Sequence, residues 1–295
     1  MKGTDENHSV KYMNIGLVLS GGMAKGAYQI GVLRAISEYI PISEIKYISC
    51  ASIGVLNGYA FVTNKLDLAE EMWRNVCIND TRFFINQILR SSMLQQNIVK
   101  ACSLDDVVCS HFYCTLFNLN HRNIVYKDLS TVEVEKMPLY LKASVAMPLY
   151  NKSVKIDETS YFDGAMVDNI PVYPILMQKL DYVICVHFDD CWYKFKKQNY
   201  DDRVINITFP NKNIVKQSVI FKQNSIEEML KDGYNMTDEL LKLIFTDGYD
   251  NLDSVYKNIK YLNSISHRKY VRITGDAFVT NLNKFAQILT KKQII

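Results

Sequence analysis

Two short apolar runs near the start of the chain are each followed by a turn of small residues. Residues 15–19 lead into Ser20-Gly-Gly-Met-Ala-Lys-Gly26, and residues 47–51 merge into Cys50-Ala-Ser-Ile-Gly54. After each turn, apolar residues recur at intervals of three or four. This spacing predicts a helix over about 23–38 and a second helix directly after the second turn.

Short apolar strands that alternate with helices are typical of parallel sheets that are buried on both faces. The carboxyl ends of parallel strands meet at one edge of the sheet, where α/β proteins usually carry their sites. We therefore expect both turns to lie at that edge. One turn supplies a hydroxyl group and the other a row of backbone N–H groups, a combination that suggests acyl transfer.

The pattern beyond residue 66 predicts a mixture of helices and strands. Residues 67–135 are predicted to be mostly helical and irregular, and most of them to be ordinary packing helices, with walls or a lid over Ser52 as the alternative. The fold class predicted for the whole is α/β, a three-layer α/β/α sandwich around a mostly parallel central sheet. Further elements are predicted as strands at 139–144, 182–188 and 204–209, a hairpin at 154–162 and a short helix at 175–179.

Helical spacing dominates again after residue 210. It predicts three helices. The first begins at a capping box at Ser225, with Gly233 as a potential break. The second lies around 255–262, and the third begins near 281. We therefore expect a main domain over residues 12–210 and a helical C-terminal appendage over 211–295 that packs on it.

The composition fits one large globular domain, or one domain with an appendage. The 295 residues are 48% hydrophobic, and the net charge of +3 is too small to indicate nucleic-acid binding. No stretch approaches the roughly 18 apolar residues of a membrane span. Residues 1–9 are polar and lack an apolar signal-peptide core, so we expect a cytoplasmic protein.

The seven cysteines are odd in number and irregularly spaced, which predicts reduced thiols and no disulfide framework. Cys109, His111 and Cys114 come nearest to a metal cluster, but they lack a second ligand pair at a suitable spacing. The chain also has no calcium-binding loop pattern. We therefore expect catalysis without a metal or another cofactor.

Ser52 is the candidate nucleophile in the second turn. A sharp strand–turn–helix connection holds such a hydroxyl clear of the sheet, and small residues on both sides prevent collisions. Gly54 supplies one small residue, whereas Cys50 stands where a G-x-S-x-G turn has its first glycine. Taken alone, the turn is also compatible with a simple strand–helix connection capped by Ser52.

The glycine turn strengthens the case for acyl transfer. Gly21 and Gly22 allow the backbone to present N–H groups to an oxygen that gains negative charge, and the following helix adds its positive dipole end. The alternative is a phosphate cradle, but the turn lacks the Gly-Lys-[Ser/Thr] ending of a P-loop. It also fails the G-x-G-x-x-G pattern, because position 23 is Met. Lys25 is expected to be a solvated helix-start residue, with a role in holding the loop as the alternative.

Several segments together resemble the patatin-like phospholipase family. Residues 17–33 resemble the opening motif of that family, and Ser52 falls where the family carries its nucleophile. Residues 143–148 resemble the segment before the catalytic aspartate of the family. Asp163-Gly164-Ala165 resembles the family's DG-[GA] motif, and residues 168–172 continue the match. The resemblance covers roughly residues 14–190.

The resemblance implies a patatin-like catalytic domain with a Ser–Asp dyad and no catalytic histidine. Asp163 would accept the proton of Ser52, and water would then free the acyl group. The implied oxyanion hole consists of the N–H groups of Gly21, Gly22 and Met23, and the implied supporting residues are Lys25, Gly26, Gly54 and Gly164. The implied substrates are acyl lipids, such as phospholipids, lysophospholipids or acylglycerols.

Two departures from the family pattern leave alternatives open. Met23 replaces a usual glycine and Cys50 replaces the first glycine of the turn, although neither change removes a catalytic group. One alternative is a catalytically silent patatin-fold protein that binds lipid or a partner. Another is a Ser–His–Asp triad that uses His187 or His267. A nucleotide-binding α/β domain is disfavoured by the glycine pattern.

A basic stretch between Lys194 and Lys222 suggests peripheral contact with an anionic membrane. It holds seven basic and two acidic residues, a net charge of +5. The alternative is a solvated surface loop. The sequence predicts no particular oligomeric state. The aromatic residues in and beside this stretch are Trp192, Tyr193, Phe195, Tyr200 and Phe221.

Overall fold

The computed structural model describes residues 12–75, 109–148, 151–195, 200–209 and 223–273. Residues 76–108 of the region expected to be mostly helical and the helix expected from near 281 lie outside these ranges.

Within the described ranges, a central sheet of eight strands organises the molecule. Hydrogen-bonded pairs connect the strands in the order β5-β6-β3-β2-β1-β7-β9, and β4 also pairs with β3. The pairs among β3, β2, β1, β7 and β9 are parallel, and those that involve β4, β5 and β6 are antiparallel. β8 and β10 form a separate parallel pair. The strands are β1 (Ile15–Leu19), β2 (Ile45–Ala51), β3 (His111–Asn118), β4 (Asn123–Asp128), β5 (Val154–Ile156), β6 (Thr159–Asp163), β7 (Tyr182–His187), β8 (Trp192–Phe195), β9 (Val204–Thr208) and β10 (Tyr270–Ile273).

Helices flank the sheet and bury both of its faces. Successive residues of a strand point to opposite sides, so Leu17 and Leu19 pack in a large apolar cluster with α1 and α2, whereas Val18 packs in a smaller cluster with α5. This confirms the predicted α/β class with a mostly parallel central sheet. None of the helices in the described ranges is long and apolar enough to cross a bilayer. The helices are α1 (Gly26–Tyr39), α2 (Ile53–Val62), α3 (Leu66–Asn75), α4 (Met137–Ser144), α5 (Tyr173–Leu176), α6 (Gln223–Ile244) and α7 (Leu252–Ile265).

The strand predicted at residues 139–144 is wrong, because this segment belongs to α4. Pro138 lies in the first turn of the helix, where its missing N–H has no consequence. Tyr140, Leu141 and Ser144 are buried, and their spacing is that of a helix that packs one face.

The prediction of mostly helical structure over 67–135 is wrong for residues 111–128. These residues form the antiparallel pair of β3 and β4, and β3 lies in the middle of the sheet. The unbroken run of aromatic, apolar and β-branched residues at 112–117 is the signal that identifies a buried strand here. The hairpin predicted at 154–162 is confirmed as β5 and β6, while the helix predicted at 175–179 is the shorter α5.

The long helix α6 passes through Gly233 without a break, so the predicted interruption is wrong. The helix already includes Gln223, so Ser225 lies inside it and not at its cap. Glycines allow α6 to approach α1 closely. A Cβ added to Gly31 would lie 2.1 Å from the carbonyl oxygen of Leu230, and one added to Gly233 would lie 2.2 Å from that of Tyr28.

The C-terminal helices contribute side chains to the main core. The side chains of Ile226, Met229 and Ile244 on α6 and of Val255 on α7 belong to the large apolar cluster. The described part of the C-terminal segment also contains the strand β10. The domain boundary after residue 210 remains a prediction.

Replacing Gly233 with alanine tests this close helix contact. Alanine favours an isolated helix by about 1 kcal/mol relative to glycine, but here its methyl group collides with the backbone of α1. We expect Gly233→Ala to lower the free energy of unfolding by about 1–3 kcal/mol, measured by chemical denaturation. The control is Asn235→Ala at an exposed position of α6, which should leave stability unchanged or slightly higher. A stabilised Gly233→Ala protein would contradict the described packing.

Candidate active site

Ser52 lies in a sharp turn between the end of β2 at Ala51 and the start of α2 at Ile53. Its backbone φ of 53° and ψ of −130° are unusual for a residue other than glycine. The Ser52 carbonyl accepts from the N–H of Val55 at 2.9 Å, but its side chain makes no capping hydrogen bond to α2. The hydroxyl therefore does not serve as a simple helix cap.

The register of β3 brings the end of β6 to the end of β2. Residues 113–115 of β3 pair with both β2 and β4, while residues 116–118 pair with both β6 and β4. Because β4 occupies one edge throughout, β2 and β6 must share the other edge. Ala51 lies opposite Thr115 and Asp163 lies opposite Leu116, so the two strands end against adjacent residues of β3. Ser52 and Asp163 meet at this junction.

Asp163 is buried, with 3% of its surface exposed. Its carboxylate accepts a hydrogen bond from the N–H of Ala165 at 2.9 Å. Burial raises the pKa of Asp163 to about 7, and the nearby Ser52 hydroxyl and the N–H of Ala165 oppose the rise. A carboxylate of ordinary pKa is a weak base for a hydroxyl group. The raised pKa of the buried Asp163 makes it a stronger base.

The glycine turn lies beside Ser52. A Cβ added to Gly21 would lie 2.8 Å from Cβ of Ser52 and 2.6 Å from Oδ1 of Asn169. Met23 follows with a φ of 52°, in the left-handed region that favours glycine. It begins a short 3-10 turn that leads into α1. The turn thus brings its backbone within contact distance of the candidate nucleophile.

Of the three expected oxyanion donors, the structure leaves two available. The N–H of Gly21 donates to Oδ1 of Asn169 at 3.0 Å, and Nδ2 of Asn169 donates to the Gly21 carbonyl at 3.3 Å. The N–H groups of Gly22 and Met23 have no acceptor among the described residues. Gly21 is therefore held by Asn169, a contact that the sequence does not reveal.

Residues 17–176 match the family model of patatin-like phospholipases, which is more than half of the chain. The chain belongs to the patatin-like phospholipase family. This membership supports lipid acyl hydrolysis in general. The four segments that resemble the family in sequence all fall at or near the junction of Ser52 and Asp163.

Two curated relatives and one solved structure illustrate the likeness. The chain is 26% identical over 223 residues to "Lysophospholipase NTE1" of Cryptococcus neoformans var. neoformans serotype D, both from strain JEC21 / ATCC MYA-565 and from strain B-3501A. The match covers 66% of this chain and 13% of each relative, so the chain spans about an eighth of their length. VipD from Legionella pneumophila is 12% identical, with a TM-score of 0.41 over 86% of this chain and 75% of that chain.

Buried amide side chains anchor both ends of the patatin-like glycine turn. Nε2 of Gln29 donates to the Ser20 carbonyl at 2.6 Å, and Nδ2 of Asn57 donates to the Gly26 carbonyl at 2.9 Å. Gln29 and Asn57 also bond to each other at 2.9 Å. Their signal in the sequence is an amide residue on the apolar face of a predicted helix, a place where polar groups are uncommon.

Lys25 is buried and not solvated, contrary to the first of the two expectations for it. Only 4% of its surface is exposed, and its ammonium group lies 5.5 Å from the centre of the Phe188 ring. Desolvation lowers the pKa of Lys25, and the nearby charge of Asp189 opposes this effect. The other supporting residues lie at tight contacts, where an added Cβ would come within 2.7 Å of a neighbouring atom: Gly26, Gly54 and Gly164.

The fold accommodates Cys50, one of the two departures from the family pattern. A Cβ added to Gly58 on α2 would lie only 2.8 Å from Sγ of Cys50, so the thiol fills space that Gly58 leaves open. Burial raises the pKa of Cys50 well above its ordinary value, which keeps the thiol neutral. The described cysteines, including Cys50, are free thiols.

The structure places the two histidines considered for a triad at the end of β7 and just after α7. His187 is fully buried at the end of β7, where Nε2 lies 3.4 Å from Oδ1 of Asn206 and the ring meets Tyr193 edge-on. His267 follows the end of α7. The groups that influence the carboxylate of Asp163 are Ser52 and Ala165, and neither is a histidine.

The aromatic residues proposed for membrane contact are mostly inside the protein. Tyr193, Phe195 and Tyr200 are buried, which contradicts a role for them at a lipid surface. Phe221 and most of the basic stretch lie outside the described residues. Contact between the basic stretch and an anionic membrane remains a prediction. The three buried aromatic side chains would not take part in it.

The raised pKa of Asp163 predicts a pH-dependent stability. The folded value of about 7 exceeds the unfolded value of 3.8, so the folded protein binds this proton more tightly. The carboxyl group therefore lowers the free energy of unfolding as the pH rises from about 4 to above 7, by at most about 4 kcal/mol. Asparagine is neutral throughout and can still accept from Ala165. We expect Asp163→Asn to be more stable than the wild type at pH 8.5, with a smaller advantage at pH 5.5, by thermal denaturation.

The matched control is Asp253→Asn, which changes an exposed carboxylate on α7. Its stability should differ from that of the wild type by less than about 0.5 kcal/mol at both pH values. If Asp163→Asn were more stable than the wild type by the same amount at both pH values, the burial of an ionisable carboxyl group would not be the cause of the difference.

Proposed function

We propose that this protein is a serine hydrolase of acyl lipids, with Ser52 as nucleophile and Asp163 as general base. The observation that carries the proposal is the meeting of Ser52 with the buried Asp163 carboxyl group where β2 and β6 end against adjacent residues of β3. Membership in the patatin-like phospholipase family supports the same chemistry. The strained backbone of Ser52 is a second support, because such strain is common at nucleophiles held on sharp turns.

In the first step, Oγ of Ser52 attacks the carbonyl carbon of the ester while Asp163 accepts the hydroxyl proton. The carbonyl oxygen becomes an oxyanion, which the N–H groups of Gly22 and Met23 stabilise at the start of α1. Collapse of this intermediate breaks the ester bond. The leaving alcohol takes the proton from Asp163 and leaves an acyl group on Ser52.

In the second step, water hydrolyses the acyl–serine ester. Asp163 accepts a proton from the water molecule as its oxygen attacks the acyl carbon. The same two N–H groups stabilise the second oxyanion. When the intermediate collapses, Ser52 leaves with the proton held by Asp163, and the fatty acid is released. The carboxyl group and the serine return to their starting states.

The relatives suggest lysophospholipids as the first substrates to test. Both carry the name lysophospholipase, and the match covers 66% of this chain. Our proposal for the substrate is therefore a single-chain acyl ester with a polar head group. A catalytically silent lipid-binding protein is the second candidate, favoured by Met23 and Cys50. The junction of Ser52 and Asp163 and the space that Gly58 leaves for Cys50 weigh against it.

Labelling with a fluorophosphonate probe tests the nucleophile. We expect the wild type to be labelled on Ser52, Ser52→Ala to be unlabelled, and Asp163→Asn to react and hydrolyse lysophosphatidylcholine on the order of 10³-fold more slowly. Ser49→Ala is a matched control, because Ser49 is a buried serine of β2, three residues before Ser52, and its hydroxyl has no hydrogen-bond partner in the described structure. It should react like the wild type.

Two histidine variants separate the dyad from a triad. His187→Gln and His267→Ala should retain most of the hydrolysis if Asp163 is the base. A loss in either variant comparable to that of Asp163→Asn would refute the dyad. A folded wild-type protein that neither reacts with the probe nor hydrolyses any acyl ester would instead favour the lipid-binding candidate.

The pH dependence of catalysis follows from the state of Asp163. The base must be ionised to accept a proton, so kcat/KM should rise with pH through an apparent pKa of about 7 and then level off. The measurement uses a soluble p-nitrophenyl ester, for which aggregation of the substrate does not change with pH. Ser49→Ala should reproduce the wild-type profile. A rate that is already maximal at pH 5 would show that Asp163 is not a base with a raised pKa.

A further inference from the structure

We propose that Asn169 is a positioning residue that sets the oxyanion donors of the glycine turn relative to Ser52. This inference rests on the proposed function and adds a residue to it. The side-chain amide of Asn169 holds both polar backbone groups of Gly21, accepting from its N–H at 3.0 Å and donating to its carbonyl at 3.3 Å. One side chain thus determines both the position and the orientation of Gly21, the first glycine of the turn.

Gly21 is the part of the loop where a small displacement matters most. It touches Ser52 on one side, since an added Cβ would lie 2.8 Å from Cβ of Ser52. On its other side follow the N–H groups of Gly22 and Met23, the donors that remain available. An oxyanion donor acts only when it lies about 2.7–3.1 Å from the developing charge. Rotation of Gly21 would therefore move both donors out of this range.

Asn169 is itself held by the turn that begins at the base. The carbonyl of Gly164 accepts from the N–H groups of Val167 and Asp168 at 2.9 and 3.0 Å. Oδ1 of Asp168 then accepts from the N–H of Ile170 at 3.2 Å. These bonds leave Asn169 little freedom relative to Asp163, six residues earlier. The turn therefore couples the position of the base to the position of the oxyanion donors.

Tyr126 on β4 ties this turn to the sheet. Its hydroxyl donates to Oδ2 of Asp168 at 2.7 Å, and Asp168 is buried with 3% of its surface exposed. Asp168 directly precedes Asn169, so a change at Asp168 passes through the backbone to Asn169. Loss of the Tyr126 hydroxyl should loosen the turn and weaken the hold of Asn169 on Gly21.

A second asparagine provides a matched comparison. Asn206 on β9 makes the same pair of bonds to the backbone of Tyr193, accepting from its N–H at 2.9 Å and donating to its carbonyl at 3.2 Å. It lies two strands away from β1, at a place with no proposed catalytic role. Replacing either residue removes a two-point amide contact, but only Asn169 contacts the glycine turn.

The test compares Asn169→Ala with Asn206→Ala. For Asn169→Ala, we expect kcat for a soluble p-nitrophenyl ester to fall about 10- to 100-fold while KM changes less than about threefold. Affinity for an acyl trifluoromethyl ketone, whose adduct with serine carries an oxyanion, should fall by a similar factor. For Asn206→Ala, we expect a lower melting temperature with kcat and ketone affinity unchanged.

Tyr126→Phe provides an independent reading, also if Asn169→Ala fails to fold. We expect kcat to fall about two- to fivefold in the wild-type background and not to fall further in the Asn169→Ala background, because both changes release the same loop. If Tyr126→Phe lowered kcat equally in the wild-type and Asn169→Ala backgrounds, Tyr126 would not act through Asn169.

The remaining outcomes distinguish a positioning role of Asn169 from other roles. An Asn169→Ala protein with raised KM and unchanged kcat would show that Asn169 contacts the substrate and does not position the loop. Equal losses of kcat in Asn169→Ala and Asn206→Ala would show a general structural effect. An active wild type with unaffected Asn169 variants would refute only this inference. A folded wild type that lacks both hydrolysis and labelling of Ser52 would refute the proposed function and this inference together.

Discussion

The edge of β3 that β2 and β6 share is the constraint on which the candidate site depends. β4 occupies the other edge of β3, so β6 can pair only where β2 has ended. The two strands run in opposite directions, and their carboxyl ends therefore meet. Ser52 and Asp163, 111 residues apart in the chain, are brought together by backbone hydrogen bonds and not by the flexibility of a loop.

This junction is energetically unfavourable in itself. It holds a buried carboxyl group with a pKa of about 7 and two residues, Ser52 and Met23, in strained backbone conformations. Such features persist only where the surrounding structure holds them in place. Here the surrounding structure consists of the buried strands, the close packing of α1 on α6 at Gly31 and Gly233, and the amide side chains beneath the glycine turn.

The two departures from the family pattern have different physical consequences. Cys50 is compensated by a second residue, because Gly58 leaves room for its thiol. Met23 is not compensated in this way, and its positive φ persists although methionine gains nothing from that conformation. The backbone N–H of Met23 is nevertheless available. The catalytic proposal depends on that N–H and on the position of the loop, and not on the identity of the side chain.

By itself, the sequence determined the α/β class, the two turns and the candidate pair of Ser52 and Asp163. The first two follow from local patterns of apolar residues, whereas the pairing of Ser52 with Asp163 follows from the resemblance to the patatin-like phospholipase family. It also predicted the hairpin that delivers Asp163. The central strand β3 could have been recognised from its aromatic and β-branched run, but the helical reading of the surrounding region obscured it.

Only the tertiary structure decided how these parts are used. The burial of Lys25, the continuity of α6 through Gly233 and the helix at 137–144 depend on what packs against each segment. The hold of Asn169 on Gly21 joins residues 148 positions apart, and it takes one of the three expected oxyanion donors. No local pattern contains such information, because a hydrogen bond between distant residues exists only after the chain has folded.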